Sequence, residues 1–154
     1  MTDFDVLTDL ALREGIEWIG IGVVVRDRSG RVLVIRRAPH DVPPGAWEYP
    51  GGGREEGESL PAGAARELAE ETGLTDLPLE YARSVDFTTQ SGLRARQFVF
   101  TTVVPDGTPI ALSPDHDDHR WAAADRMPTI GGHQRRLLDR LAADPSGTAG
   151  VPTG

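Results

Sequence analysis

Apolar and polar positions along this chain fall into alternating short and long periods, and those periods delimit its elements. Residues 18–26 are rich in Ile and Val and residues 31–37 resume a β-branched run. Asp27-Arg28-Ser29-Gly30 between them reads as a turn, so the pair is expected as a hairpin. Residues 38–46 contain Pro39, Pro43 and Pro44 and are therefore a loop, because proline fixes φ and removes a backbone donor. A short extended piece, Trp47-Glu48-Tyr49, then leads into Pro50 and three glycines. The next element is a helix for which Ser59 suits the N-cap, Pro61 the first turn and Gly73 the stop.

Residues 79–88 and 93–104 read as two longer strands parted by Thr89-Gln90-Ser91-Gly92, Pro105-Asp106-Gly107-Thr108-Pro109 as a turn, and 120–122 as a short strand. Residues 132–143 suit an amphipathic helix with Leu137, Leu138 and Leu141 inward. Residues 1–17 form an N-terminal arm or short helix, and the tail 144–154, rich in Pro, Gly, Ser and Thr, is expected to be disordered. Strands, helix, strands, helix is an α/β order that places helices on the faces of a mixed sheet.

A chain of 154 residues, 38% hydrophobic, supports one domain, taken as 18–143. Its formal net charge of -8 and pI near 4.9 argue against a basic face for a nucleic-acid backbone, so no polymeric nucleic acid is expected as a partner. A small phosphorylated molecule remains open if metal ions and a few arginines neutralise its phosphates. The absence of cysteine removes disulfides, thiolate catalysis and cysteine-ligated zinc. No apolar run is long enough to span a membrane and the first residues lack a signal-peptide pattern, which makes the cytoplasm the expected location.

The most informative stretch runs from Gly52 to Leu74. A glycine-rich turn there precedes a helix bearing Glu67, Glu70 and Glu71. Residues three and four apart share a helical face, so these carboxylates project together while Leu68 and Leu74 turn inward. Carboxylates so close repel one another unless a cation sits between them. All-oxygen ligands favour Mg²⁺ or Mn²⁺ over zinc. Arg66 lies one turn before Glu70, within reach of Glu58, and fixes this scaffold.

Gly52, Glu58, Arg66, Glu67, Leu68, Glu70, Glu71, Gly73 and Leu74 fit every specified position of the pattern GX5EX7REUXEEXGU, where U is aliphatic. A chance match at one start is on the order of one in a billion, which sets coincidence aside along with the reading of the helix as an ordinary solvated charge run. The chain resembles the Nudix hydrolases over residues 18–142, and the resemblance implies an α/β/α sandwich. It further implies that Glu67, Glu70 and Glu71 bind metal together with the carbonyl of Gly51. The implied reaction is hydrolysis of the diphosphate linkage in a nucleoside diphosphate joined to another moiety, with metals bridging the diphosphate oxygens and activating the attacking water.

Two groups are open as the base, Glu67 in the box and Asp115 in the later loop, where many family members carry an acid before a tryptophan; His116 and His119 rank below them. Arg36 or Arg37 is placed by the resemblance at the substrate's phosphates, and alternation along a strand admits one of the two. Trp47 and Tyr49 are core residues or a wall on which a base stacks. Trp-Glu-Tyr-Pro-Gly-Gly and the preceding Ile-Arg-Arg look like the MutT-type branch, which converts oxidised nucleoside triphosphates to monophosphate and pyrophosphate. Where that branch reads the purine with an asparagine, this chain has Thr129-Ile130-Gly131-Gly132. A nucleotide-sensing module without turnover is the competing class, against which stands the full set of box glutamates. A Nudix-fold isomerase would need the missing cysteine. Nudix relatives are frequently homodimers.

Overall fold

The computed structural model describes residues 2–143. Strand β1 (Trp18–Asp27) is buried on both faces almost throughout, which is the signature of a central strand rather than one arm of a surface hairpin. It runs parallel to β6 (Arg94–Val104) in continuous register from Trp18↔Ala95 to Asp27↔Val104. β6 in turn pairs antiparallel with the edge strand β5 (Glu80–Thr88). On the other side, β2 (Val32–Arg37) meets β1 at Arg26↔Val32, beside the turn, and then aligns with β7 (His116–Ala122). The expected hairpin therefore opens immediately after its turn. Into the opening comes β4 (Gly51–Gly53), antiparallel to β1 at Gly20 to Gly22, while β3 (Trp47–Glu48) lies along β2. The loop that carries the glycines thus enters the sheet where β1 and β2 part.

Three helices cover the mixed sheet and make the α/β/α sandwich that the sequence implies. The N-terminal segment is a helix, α1 (Asp3–Arg13), started by a reciprocal capping box between Thr2 and Asp5. Phe4 and Leu7 pack on the same apolar cluster as Ile21, Val23, Phe98 and Phe100. Helix α2 (Leu60–Thr72) lays Leu60, Ala64 and Leu68 on that cluster. Ser59 caps it by accepting from the Ala62 N–H, and Gly73, at φ 74°, ends it in the left-handed region. Helix α3 (Gly132–Ala143) buries Leu137 and Leu141 on the opposite face, with Leu138 partly covered. Residues 144–154, expected as a disordered tail, lie outside the described residues.

The glycines of β4 are there for contact. A Cβ on Gly51 would collide with the backbone of Ile21 and Gly22, and one on Gly52 would stand 2.5 Å from Glu67 Oε1. Bare backbone lets β4 lie flat against β1 while the first box glutamate of α2 closes over it.

Candidate active site

Arg66 organises the acidic face of α2. Its Nε and Nη2 hold both oxygens of Glu58 at 2.7 and 2.9 Å, Nη1 donates to Glu67 at 3.0 Å and to Glu70 at 3.3 Å, and Nη2 also reaches the Gly53 carbonyl at 3.1 Å. Such a forked, charge-assisted set ties helix to loop. The guanidinium draws Glu58 below its usual range and is itself raised, first by the Glu58 hydrogen bond. Glu67 moves the other way: burial lifts it and outweighs the Arg66 hydrogen bond.

The three box carboxylates do not converge as the helical spacing suggests. Glu67 and Glu70 share Arg66 Nη1, whereas Glu71 turns back to accept the Gly51 N–H at 2.7 Å. Among the described residues, the close-set group of ligand atoms is Glu48, Glu71 and His116, all within 4.8 Å of one another. The division has a simple cause: the Arg66 guanidinium draws Glu67 and Glu70 to itself, and a backbone donor of β4 holds Glu71 apart from them.

Glu48 and His116 are the residues that sequence reasoning missed or ranked low. Glu48 accepts from Arg37 Nε at 2.9 Å through one oxygen and meets His116 Nε2 at 3.0 Å through the other. His116 is buried, its Nδ1 has no hydrogen-bond partner among the described residues, and that nitrogen stands 4.0 Å from Glu71 Oε2. Burial pushes the Glu71 carboxyl up to about 8, with Glu48 and Glu67 adding to the push and the Gly51 N–H and His116 opposing it. Burial pulls His116 down, but the Glu48 hydrogen bond and the charges of Glu71 and Glu48 prevail and leave it above its ordinary value. The signal for both residues was alternation. Glu48 sits between two aromatics in an extended run, and His116 is the residue of β7 set opposite Arg37.

Asp115 lies apart from this group. Its side chain is 66% exposed and meets His40 Nε2 at 3.2 Å, because β7 begins one residue later and turns His116 inward instead. His119 is exposed. Of the two strand arginines, Arg37 lines the cavity beside the cluster, but it is already held by Glu48, Asp41 and the Val42 carbonyl. Arg36 turns to Asp117 at the surface, its guanidinium over the Trp47 ring. Neither stands free for a phosphate. Of the two readings of Tyr49, core residue or stacking wall, its burial favours the first: it is fully buried, its hydroxyl donates to Gln97 and its N–H to Gln134.

A cavity of about 760 Å³ opens next to the cluster. Trp18, Trp47 and Phe87 give it flat apolar walls, and Glu48, Gly51 and Gly52 join it to the acidic group. His133, at the start of α3, stacks on Phe87 with ring centroids 3.8 Å apart and an interplanar angle of 6°. Burial, and then the charge of Arg136, lower the His133 pKa and favour its neutral form.

A divalent cation fits these residues. The donors are carboxylate oxygens and one imidazole nitrogen without a partner, the set holds more negative charge than its burial tolerates, and the nearby arginines are already engaged by carboxylates.

The family model described as "NUDIX domain" matches residues 17–141. A MutT-like protein of Streptomyces ambofaciens is 53% identical over 124 residues, covering 78% of this chain and 73% of that protein. An RNA pyrophosphohydrolase of Caulobacter vibrioides (strain NA1000 / CB15N) is 49% identical over 59 residues; the match takes in 38% of this chain and only about a third, 34%, of that protein's length. In fold, the chain superposes on the crystal structure of a MutT protein from Methanosarcina mazei Go1 with a TM-score of 0.75 at 28% identity, covering 83% of this chain and 94% of the other.

Proposed function

The chain belongs to the Nudix hydrolase family, and from that premise we propose that it is a pyrophosphohydrolase cleaving a phosphoanhydride bond of a nucleotide, in the manner of its MutT-like relatives. The observation that carries this reading is the Glu48–Glu71–His116 group, its histidine buried and its carboxylates half-buried, at the mouth of a cavity walled by aromatic rings. Flat apolar walls suit a nucleobase. An acidic, cation-hungry end suits the diphosphate, which cannot approach those carboxylates without a positive ion between them.

Glu71 would hold the ion with Glu48 and His116, the box pattern adding Glu70 and the Gly51 carbonyl, while Glu67 stays tied to Arg66 through one oxygen. When bound, Mg²⁺ or Mn²⁺ offsets charge on the phosphoryl oxygens and acidifies a water. The chain's own residues do the rest. Arg66 engages Glu67 Oε1, leaving Oε2 to take the proton as the water oxygen attacks phosphorus and the anhydride P–O bond breaks. The raised pKa of Glu67 makes it a better base than an exposed carboxylate. Its burial and its place against Gly52 favour it over Asp115 for that role.

The RNA pyrophosphohydrolase relative favours a second reading of the substrate, an RNA end carrying the same anhydride. Net charge argues against a broad basic face, and a ligand of this kind needs only a local one. The test is a screen of nucleoside triphosphates, sugar nucleotides, dinucleotides and ADP-ribose with Mg²⁺, products identified by mass. Release of pyrophosphate or phosphate from at least one nucleotide is expected, and tight binding without turnover across the panel would make the chain a sensor.

A further inference from the structure

A second concavity, of about 330 Å³, lies at the outer edge of the sheet and is lined by Ser84, Asp86, Arg96, Arg136 and Arg140. Three guanidiniums gather there on a chain whose formal net charge is -8. Arg96 is clamped by Asp86 at 2.7 Å and by Glu14 at 3.2 Å. Arg136 is held in place by the Asp86 carbonyl, to which Nη2 donates at 2.8 Å. Among the described residues neither Arg136 nor Arg140 forms an ion pair, although Arg135, beside them on α3, pairs with Asp139. Asp86 is committed to Arg96, so among the described residues two cations of the concavity have no carboxylate partner.

Its position gives those cations a use. Asp86 lines this concavity and Phe87 lines the aromatic cavity, one residue on along β5; Arg136 lines the one and His133 the other, one turn apart on α3. Side chains alternate along β5, so Asp86 with Arg96 and Phe87 with His133 stand on opposite faces, and the two sites adjoin around the β5 edge of the sheet, where Arg136 and His133 lie one turn apart on α3. Arginine forks match phosphate oxygens in pairs, and two on the same helical face four residues apart present such forks together.

We propose that Arg136 and Arg140, braced by Arg96, form a phosphodiester site that receives the phosphate following the nucleotide in the aromatic cavity, so that an oligonucleotide with a terminal di- or triphosphate binds better than a mononucleotide. This rests on reading the acidic cluster as the seat of the terminal anhydride. It supplies what the cluster lacks, free cationic charge for a part of the ligand that carries no metal. It also reconciles an acidic chain with a polymeric ligand, because the basic surface needed is one phosphate wide.

The test compares a nucleoside triphosphate with a 5′-triphosphorylated RNA trinucleotide, using the full chain, R136A/R140A and R136K/R140K. In parallel, calorimetry measures binding of the 5′-monophosphorylated trinucleotide, the mononucleotide and inorganic phosphate. The native chain is expected to show a KM for the trinucleotide about tenfold or more below that for the mononucleotide. R136A/R140A should abolish this advantage with kcat and mononucleotide KM within about twofold, the latter reporting that the variant folds. The lysine variant should retain part of it, and the slope of log affinity against log salt should fall by about one to two in the alanine variant. An equal KM for both substrates in the native chain, an advantage that survives R136A/R140A, or inorganic phosphate binding at the arginines as tightly as the trinucleotide would overturn the proposal. Failure to hydrolyse either substrate would count against the pyrophosphohydrolase reading, while the calorimetry would still decide the arginine site.

Discussion

Glu67 and Asp115 are both candidates for one proton in the sequence, and burial separates them. Glu67 is lifted in pKa, pinned through one oxygen by Arg66 and packed over Gly52; Asp115 stands at the surface with His40. Glu67→Gln is therefore expected to reduce kcat by about 10²-fold or more, in line with losing a general base, with a thermal midpoint near that of the native chain. Asp115→Asn should leave kcat within about twofold. The reverse pattern in steady-state kinetics would return the role to the loop. Position along the chain made the box residues legible because their spacing is a pattern of helical turns. Glu48 and His116 were less so, since neither carries a repeat and their meeting is created by β2, which brings β3 and β7 to its two edges.

At the scale of elements, α2 shows how much local chemistry can specify. Ser59, Pro61 and Gly73 mark its ends in the sequence, and the structure places them at the N-cap, the first turn and the left-handed stop. Gly73→Ala would force a Cβ into a left-handed backbone and to 3.0 Å from the Ala111 Cβ. The expected cost is about 1–2 kcal/mol, read as a thermal midpoint lower by roughly 3–6 °C, with turnover kept at temperatures well below it. An unchanged midpoint would mean that the stop contributes nothing. The β1–β2 hairpin was the element that pattern alone misplaced. Its turn is correct, but nothing local to residues 18–37 records that β1 prefers β6, more than seventy positions later, or that three glycines fill the gap.

Over the whole molecule, the half-buried acidic group sets a dependence on pH and metal. Glu71 rises from an ordinary 4.5 to about 8 in the fold, so between those values the folded chain holds a proton that the unfolded chain has released. Stability from this group is full at low pH and is lost as pH climbs through that window. His116, raised above its ordinary 6.5, contributes below that value and loses its contribution as pH passes its folded one, the same direction. In chelator, the thermal midpoint is expected to fall from pH 5 to pH 8.5, with a limiting slope of about 1.4 kcal/mol per pH unit for each fully titrating group. Mg²⁺ or Mn²⁺ should restore it at pH 8 by binding the ionised form, and Glu71→Gln should flatten the profile. A midpoint that rises over that range without metal would contradict the assignment of the cluster.

The central claim is that the carboxylates of α2 and β3, joined by the His116 imidazole of β7, direct water onto phosphorus in a nucleotide anhydride. Its most direct measurement is turnover of the active nucleotide from the screen in ¹⁸O-water with Mg²⁺, by the native chain and by Glu71→Gln, with the label located by mass spectrometry. One ¹⁸O on a single product phosphoryl group, made by the native chain and lost by about 10²-fold or more in the variant, is the expected result. Equal labelling by the two proteins, or no labelled phosphate from the native chain across the panel, would contradict it.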